Sequence, residues 1–262
     1  MLMGRRKESQ YFFRRMRLEY YKSRLSSTIK TNDIMKNYTL ILMGIFSFLT
    51  GFQETVAQDW ADLGHFKKAN NRIEGPKENE DRVVFMGNSI TIGWLNARPS
   101  FFKDKPYINR GISGQTTPQM LIRFRQDVID LQPKVVVILA GTNDIAGNTG
   151  PSTLPMILDN IKGMAELAAA NNIKVILSST LPAYDYPWRP GLKPNEKIPV
   201  LNAMIKAYAE TNGHVYLDYF SAMADERNGL PKKYADDEVH PTVAGYKVME
   251  PMVEAAIASA LK

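Results

Sequence analysis

Short apolar runs rich in Val and Ile alternate along the chain with longer segments whose apolar residues recur every three or four positions. The first pattern predicts buried strands and the second predicts amphipathic helices. Strands are predicted at 82–86, 105–109, 134–140, 173–179 and 214–219. Helices are predicted from Ser89 onward and at 117–131, 154–170, 198–212 and 243–260, with an outer helix over 59–73 on the spacing of Trp60, Leu63 and Phe66.

Strands separated by helices favour a parallel sheet that is covered on both faces. Five strands with their helices predict the α/β class, a three-layer α/β/α sandwich around a five-stranded parallel sheet of order 2-1-3-4-5. No repeat or low-complexity linker interrupts residues 58–262, so we expect one domain there. Ligands bind at the carboxyl ends of the strands in such folds.

Residues 1–57 have a different pattern. An apolar run at 39–51 is followed by Thr55 and Ala57, which suit the −3 and −1 positions of a signal-peptide cleavage site. This predicts a secretory signal over 35–57, cleavage after Ala57, and export to the periplasm or the cell exterior. The alternative is a membrane anchor through 38–51, although a membrane span takes about 20 residues. Residues 1–34 are most simply explained by a true translation start at Met35.

The net charge of +6 lies in this leader. Residues 1–34 carry nine basic and three acidic side chains, and the remaining residues balance. We therefore expect no nucleic-acid partner. The chain has no cysteine, which excludes disulfides, thiolate metal sites and a cysteine nucleophile. Since it also lacks a phosphate-binding loop, a dinucleotide fingerprint and metal-ligand spacing, we expect no metal and no cofactor.

Small and polar residues that suit acyl transfer follow the predicted strands. That chemistry needs a nucleophile, a base, a group that orients the base, and donors for the oxyanion. Ser89 follows the first strand where a helix begins, and His240 can act as its base. Asp237 can hold the imidazole through the other ring nitrogen. The amides of Ser89 and Gly114 and the side chain of Asn143 can form the oxyanion hole.

Four blocks in this order resemble the SGNH (GDSL-like) hydrolase family. They are the serine block at Ser89, Ser-Gly-Gln-Thr around Gly114, Gly-Thr-Asn-Asp around Asn143, and Asp-x-x-His at Asp237 and His240. Each block alone arises easily by chance, so their order is what carries the resemblance, over about residues 82–250. It implies a flavodoxin-like sandwich that hydrolyses carboxylic esters through an acyl-enzyme.

Asn88 departs from this resemblance, because the family usually has Asp before the serine. The charge that normally lies beside the nucleophile is therefore missing. The Gly-x-Ser-x-Gly elbow of the α/β-hydrolase fold is also absent, since Thr91 stands at its last position.

Several of these residues can also be explained by a purely structural role. Ser89 and Asn143 can be helix caps, Gly114 a turn glycine, and Asp237 part of a solvated acidic loop. Four aromatic residues can line a substrate groove or merely fill space: Trp94, Tyr184, Tyr186 and Trp188.

Taken together, the residues predict an exported serine esterase that acts on short acetyl esters, with an acetylated polysaccharide as the leading substrate. A phospholipid or platelet-activating-factor-like acetyl ester is the alternative substrate. A non-catalytic glycan-binding module is the alternative function. The oligomeric state and the natural ester are not indicated by the residues.

Overall fold

The computed structural model describes residues 16–22, 24 and 59–262. The chain divides into two units, Met1–Gln58 and Asp59–Lys262. In the first unit, residues 16–22 and 24 are helical and exposed. The predicted signal and its cleavage site lie outside the described residues and stay predictions. Within the described ranges, no helix is long and apolar enough to span a membrane.

The second unit is built on a sheet of five parallel strands in the order β2-β1-β3-β4-β5. The strands are β1 (Val83–Gly87), β2 (Tyr107–Gly111), β3 (Val135–Leu139), β4 (Lys174–Ser178) and β5 (Val215–Leu217). The predicted α/β class and the predicted strand order are confirmed.

Helices cover both faces of this sheet. They are α1 (Lys67–Asn70), α2 (Ser89–Ala97), α3 (Pro99–Phe102), α4 (Thr117–Asp127), α5 (Thr142–Ile145), α6 (Leu154–Ala170), α7 (Pro194–Thr211), α8 (Tyr219–Met223) and α9 (Val243–Ala260), with a 3₁₀ turn at Ile129–Leu131.

Strand β1 shows why the sheet needs two covering layers. Val84 and Met86 belong to a buried cluster with residues of α4, α6 and α7. Val83 and Phe85 belong to a second cluster with residues of α2 and α9. Successive side chains of a strand point to opposite faces, so an all-apolar strand requires apolar partners on both sides.

Most predicted boundaries agree with the structure within a few residues, and the differences have local causes. Helix α4 ends at Asp127 rather than at 131, and a 3₁₀ turn follows it. Helix α7 begins at Pro194, four residues before the predicted start. Strand β5 ends at Leu217, because Asp218 caps the short helix α8 by accepting a hydrogen bond from the Ser221 amide at 3.0 Å.

The helix predicted over 59–73 is wrong. Only Lys67–Asn70 are helical, and the residues before them form turns. The Asp59 carboxylate accepts hydrogen bonds from the amides of Leu63 and Gly64, both at 2.8 Å, and so stabilises a turn instead of a helix. Trp60 and Leu63 of the proposed apolar stripe are exposed.

Candidate active site at the carboxyl edge of the sheet

Ser89 is the first residue of α2, directly beyond β1. Asn88 caps this helix, since its side-chain oxygen accepts a hydrogen bond from the Ile90 amide at 3.0 Å. Asn88 is buried and Ser89 is half-buried. The serine hydroxyl therefore lies at a helix N-terminus, where the helix dipole favours negative charge.

Two glycines allow α2 to pack closely against the strand ends. A Cβ on Gly87 would lie 2.0 Å from Thr91 Oγ1, and one on Gly111 would lie 2.3 Å from the Ile92 amide nitrogen. Any larger residue at either position would displace the helix that begins at Ser89.

A line of hydrogen-bonded side chains runs from Ser89 through His240 to Asp237. Ser89 Oγ lies 3.0 Å from His240 Nε2, and His240 Nδ1 lies 2.7 Å from Asp237 Oδ2. Asp237 Oδ1 also accepts from the amides of His240 and Val239, at 2.7 and 3.0 Å. The carboxylate thus orients both the imidazole and its backbone. With Nδ1 protonated towards Asp237, Nε2 presents its lone pair to the serine hydroxyl.

Asp237 is suited to stay ionised beside His240. Partial burial raises the pKa of this carboxyl, but the hydrogen bonds from His240 and Val239 outweigh it, and the pKa lies below its ordinary value. At neutral pH the group is therefore a carboxylate that can accept the hydrogen bond from His240 Nδ1.

The predicted oxyanion donors lie on three neighbouring strand ends. The amides of Ser89 and Gly114 donate to no protein acceptor among the described residues. Gly114 is exposed and has φ +77°, a conformation that favours glycine. Asn143 is buried, and its Nδ2 donates to the Gln115 carbonyl at 2.9 Å. A side-chain amide has two N–H donors, so one remains for a ligand.

Residues 85–248 match the sequence model of the GDSL-like lipase/acylhydrolase family. The chain belongs to that family. The matched region contains every strand except the first two residues of β1. It also contains Ser89, the two other candidate oxyanion donors Gly114 and Asn143, and the Asp237–His240 pair.

Two solved structures, each from a Bacteroides species, are similar to this chain. A proposed acylhydrolase from Bacteroides fragilis is 51% identical, with a TM-score of 0.77 over 78% of this chain and 100% of that one. A GDSL-like lipase from Bacteroides thetaiotaomicron is 49% identical, with a TM-score of 0.75 over 76% and 98%.

A curated relative is an acetylxylan esterase from Xylanibacter ruminicola. It is 28% identical over 233 residues, which are 75% of this chain and 46% of that protein. The chain therefore spans about half the length of that relative.

An open cleft of about 640 Å³ borders the loop that carries Gly114. Its lining combines the polar side chains of Asp62, Gln119, Asn148, Thr149 and Arg189 with the aromatic ring of Trp188. Arg189 holds one wall in place, because its Nη1 donates to the carbonyls of Ala146 and Gly147 at 2.7 and 2.9 Å. Asn148 Nδ2 donates to the Gly114 carbonyl at 3.0 Å, which ties the Gly114 loop to the same wall.

The structure separates the four aromatic residues predicted to line a groove. The prediction that Trp94 lines a groove is wrong, because its side chain is buried in the core between Phe101 and Tyr246. Tyr186 is also fully buried, and its hydroxyl donates to the Thr142 carbonyl at 3.0 Å.

Trp188 and Tyr184 are exposed. The Trp188 ring stacks on Tyr186 and lies 5.8 Å from the His240 ring, between centroids. Tyr184 lies instead under the Arg227 guanidinium. Trp188 is thus the aromatic side chain of this set that adjoins both His240 and the cleft.

Sequence reasoning missed the polar side chains behind the oxyanion donors, above all Arg123 and Gln115. A signal existed in the pattern. Arg123 and Asp127, four residues apart, lie on the same face of α4 as the buried Met120 and Phe124. Charged residues within an apolar face are rarely buried unless they are paired, so this pair indicates a buried ionic contact.

In the described residues, no group of three or more His, Asp or Glu is placed to hold a metal.

Asp144, next to Asn143, is buried and joins α5 to α4. Its carboxylate accepts from the Thr117 amide at 3.0 Å and from Thr117 Oγ1 at 2.6 Å. Burial nevertheless raises the pKa of this carboxyl to about 6. The folded protein therefore keeps the proton at pH values where the unfolded chain has lost it.

We expect stability to fall between about pH 4 and pH 6 through Asp144. In that range the unfolded chain releases the proton and the folded protein retains it, so the free energy of unfolding decreases as the pH rises. The decrease is about 3 kcal/mol for a rise of two units in pKa, and Asp144→Asn should abolish it. Urea denaturation of both proteins across this range measures it, with the exposed Asp159→Asn as control. A constant difference between wild type and Asp144→Asn would contradict the assignment.

Proposed function

We propose that this protein is a serine esterase that hydrolyses short-chain acetyl esters carried by carbohydrates. The observation that carries the proposal is the hydrogen-bonded line from Ser89 Oγ through His240 to Asp237, at 3.0 and 2.7 Å. Membership of the GDSL-like lipase/acylhydrolase family supports the same activity.

The reaction begins when Ser89 Oγ attacks the ester carbonyl carbon and its proton passes to His240 Nε2. Asp237 stabilises the resulting imidazolium. The carbonyl oxygen becomes an oxyanion and accepts hydrogen bonds from the amides of Ser89 and Gly114 and from Asn143 Nδ2. The bond from carbon to the alcohol oxygen then breaks, and His240 gives its proton to the departing alcohol.

Water completes the cycle. His240 takes a proton from the water as the water oxygen attacks the acyl-enzyme carbonyl. The tetrahedral intermediate that forms uses the same three donors. When the bond to Ser89 Oγ breaks, the acid leaves and the proton returns from His240 to the serine.

The cleft beside Gly114 supports a carbohydrate as the alcohol part of the ester. Polar side chains such as Gln119, Asn148 and Thr149 can exchange hydrogen bonds with hydroxyl groups. The exposed face of Trp188 gives a flat apolar surface near His240 for the C–H face of a sugar ring. The similarity to a relative named as an acetylxylan esterase supports the same substrate class.

Export of the enzyme is part of this proposal. The predicted cleavage after Ala57 would release a chain starting at Gln58, one residue before the unit Asp59–Lys262. An acetylated polysaccharide lies outside the cell membrane, so the two parts of the proposal are mutually consistent.

Replacement of the nucleophile is the direct test of the activity. Ser89→Ala should lower kcat on p-nitrophenyl acetate by about 10⁴-fold or more, because it removes the attacking atom. Acetylated xylan should release acetate with the wild type, and octanoate and phospholipid esters should react more slowly. Ser259→Ala, at an exposed serine of α9, is the matched control. Full activity in Ser89→Ala would refute the mechanism, and an inactive wild type that binds glycans would favour the non-catalytic module.

Trp188→Ala should separate sugar binding from acyl transfer. Loss of the aromatic face should raise KM for acetylated xylo-oligosaccharides about tenfold, the equivalent of about 1.4 kcal/mol. The rate on p-nitrophenyl acetate should change little, since that substrate has no sugar. Trp188→Phe should keep most of the binding, and Trp60→Ala, an equally exposed tryptophan outside the cleft lining, should have no effect. Equal losses on both substrates would contradict a sugar-binding role.

The mature amino terminus tests export. Edman sequencing of protein recovered outside the cytoplasm should begin at Gln58, because Thr55 and Ala57 suit the signal peptidase. An Ala57→Leu variant should slow processing, whereas Gln53→Leu, in the same segment but off the −3 and −1 positions, should not. Membrane-bound protein that retains residues 38–51 would show an uncleaved anchor, and any peptide from 1–34 would contradict a start at Met35.

A further inference from the structure

A buried guanidinium lies directly behind the candidate oxyanion hole. Arg123 projects from α4 with none of its side chain exposed. Removing a cation from water is costly unless its donors are satisfied. The partners of the Arg123 guanidinium therefore indicate the role of this buried charge.

All three nitrogens of the guanidinium have partners. Nη2 donates to the carbonyls of Gly87 and Arg110, at 3.0 and 2.8 Å. Nη1 donates to Asp127 Oδ2 at 3.0 Å, and Nε donates to Gln115 Oε1. Two of the four acceptors are main-chain carbonyls at the carboxyl ends of β1 and β2. One planar fork thus fixes the spacing of two adjacent strand ends.

Two of these contacts, those to Gly87 and Gln115, lie close to the candidate oxyanion donors. Gly87 stands two residues before Ser89, whose amide is the first donor. Gln115 follows Gly114, whose amide is the second donor. The Gln115 carbonyl accepts from Asn143 Nδ2, the third donor, at 2.9 Å.

Residues ahead of the family-matched region complete the network. Gln115 Nε2 donates to the Ala61 carbonyl at 2.8 Å, so its side chain is held from both ends. Asn70 Nδ2 donates to Asp127 Oδ1 at 2.7 Å. The Phe66 ring lies under the Arg110 and Arg123 guanidiniums, 4.6 and 6.0 Å from its centroid.

We propose that Arg123, acting through Gly87 and Gln115, is a positioning residue that holds the three oxyanion donors in register. The inference rests on the proposed function, since it concerns the same site. Arg123 touches no substrate. Its effect is on the placement of donors that act in the transition state, so its loss lowers kcat more than it changes KM.

Arg82 provides a matched control at the opposite end of β1. It is also buried, and it donates to the Leu131 and Glu74 carbonyls at 2.8 and 3.0 Å and to Glu80 at 2.7 Å. Loss of its fork removes the same kind of contacts from the fold but none near Ser89. Gln126 is the control for Gln115. Its Nε2 donates to the Leu63 carbonyl at 2.7 Å, so it links α4 to the segment that also contains Ala61, the partner of Gln115.

The experiment compares Arg123→Lys with Arg82→Lys on p-nitrophenyl acetate, well below the Tm of each variant. Lysine keeps the charge but cannot reproduce the planar fork. Both variants should lower the Tm. Arg123→Lys should lower kcat about 10- to 100-fold, with KM within about threefold of wild type, whereas Arg82→Lys should leave kcat within about threefold. A folded Arg123→Lys with wild-type kcat, or equal losses in both variants, would overturn the inference.

Gln115→Met and Gln126→Met decide the matter if Arg123→Lys does not fold. The first should lower kcat about tenfold, and the second should not. Equal kcat values in this pair would overturn the inference. Wild type and Ser89→Ala are assayed alongside. An inactive wild type would overturn the proposed function and this inference together, while an active wild type with unimpaired Arg123 and Gln115 variants would overturn the inference alone.

Discussion

The geometry of the candidate active site depends on the parallel, in-register pairing of β1 with its two neighbours. Gly87 pairs with Gly111 of β2 on one side and with Leu139 of β3 on the other. Because the three strands run in one direction, their carboxyl ends stop at the same edge, each about 4.8 Å from the next. The segments that carry Ser89, Gly114 and Asn143 therefore begin side by side. A shift of one residue in either pairing would turn every side chain of the shifted strand to the other face and separate the donors.

The carbonyls at the ends of β1 and β2 need hydrogen-bond donors from outside the sheet, and buried polar side chains supply them. Helix α4 provides this buried polar layer on the β2 side, where Arg123 donates to two strand-end carbonyls and Thr117 donates to Asp144. Burial of these charges is expensive, and apolar replacements of similar size are often no less stable in other proteins. What an apolar side chain cannot do is hold two carbonyls and a glutamine at fixed positions. In the role proposed for Arg123, the buried polar layer orders the candidate oxyanion hole more than it stabilises the fold.

The base lies on a different kind of support. His240 and Asp237 are on a short loop with both side chains about 40% exposed. The loop is anchored by the buried Ala235 and Val239 and by the pair between Arg227 and Glu238, at 3.3 Å. Asp237 accepts three hydrogen bonds from the same loop, which fix the imidazole without help from the sheet. The candidate donors are therefore placed by the core, and the candidate base His240 is placed by its own local turn and by contact with Ser89.

The sequence alone determined the α/β class, the strand order and the residues that would share one edge, because these follow from apolar periodicity and from short local spacings. Helices α6 and α9 begin and end where their patterns predict. The helix expected at 59–73 failed because one carboxylate, Asp59, stabilises a turn that periodicity does not register. Only the tertiary structure decided that Trp94 and Tyr186 are buried while Trp188 adjoins His240, since an aromatic ring suits a core and a groove equally well. It also decided the place of Arg123, whose partners Gly87, Arg110 and Gln115 lie on different segments and meet only when the strands pair.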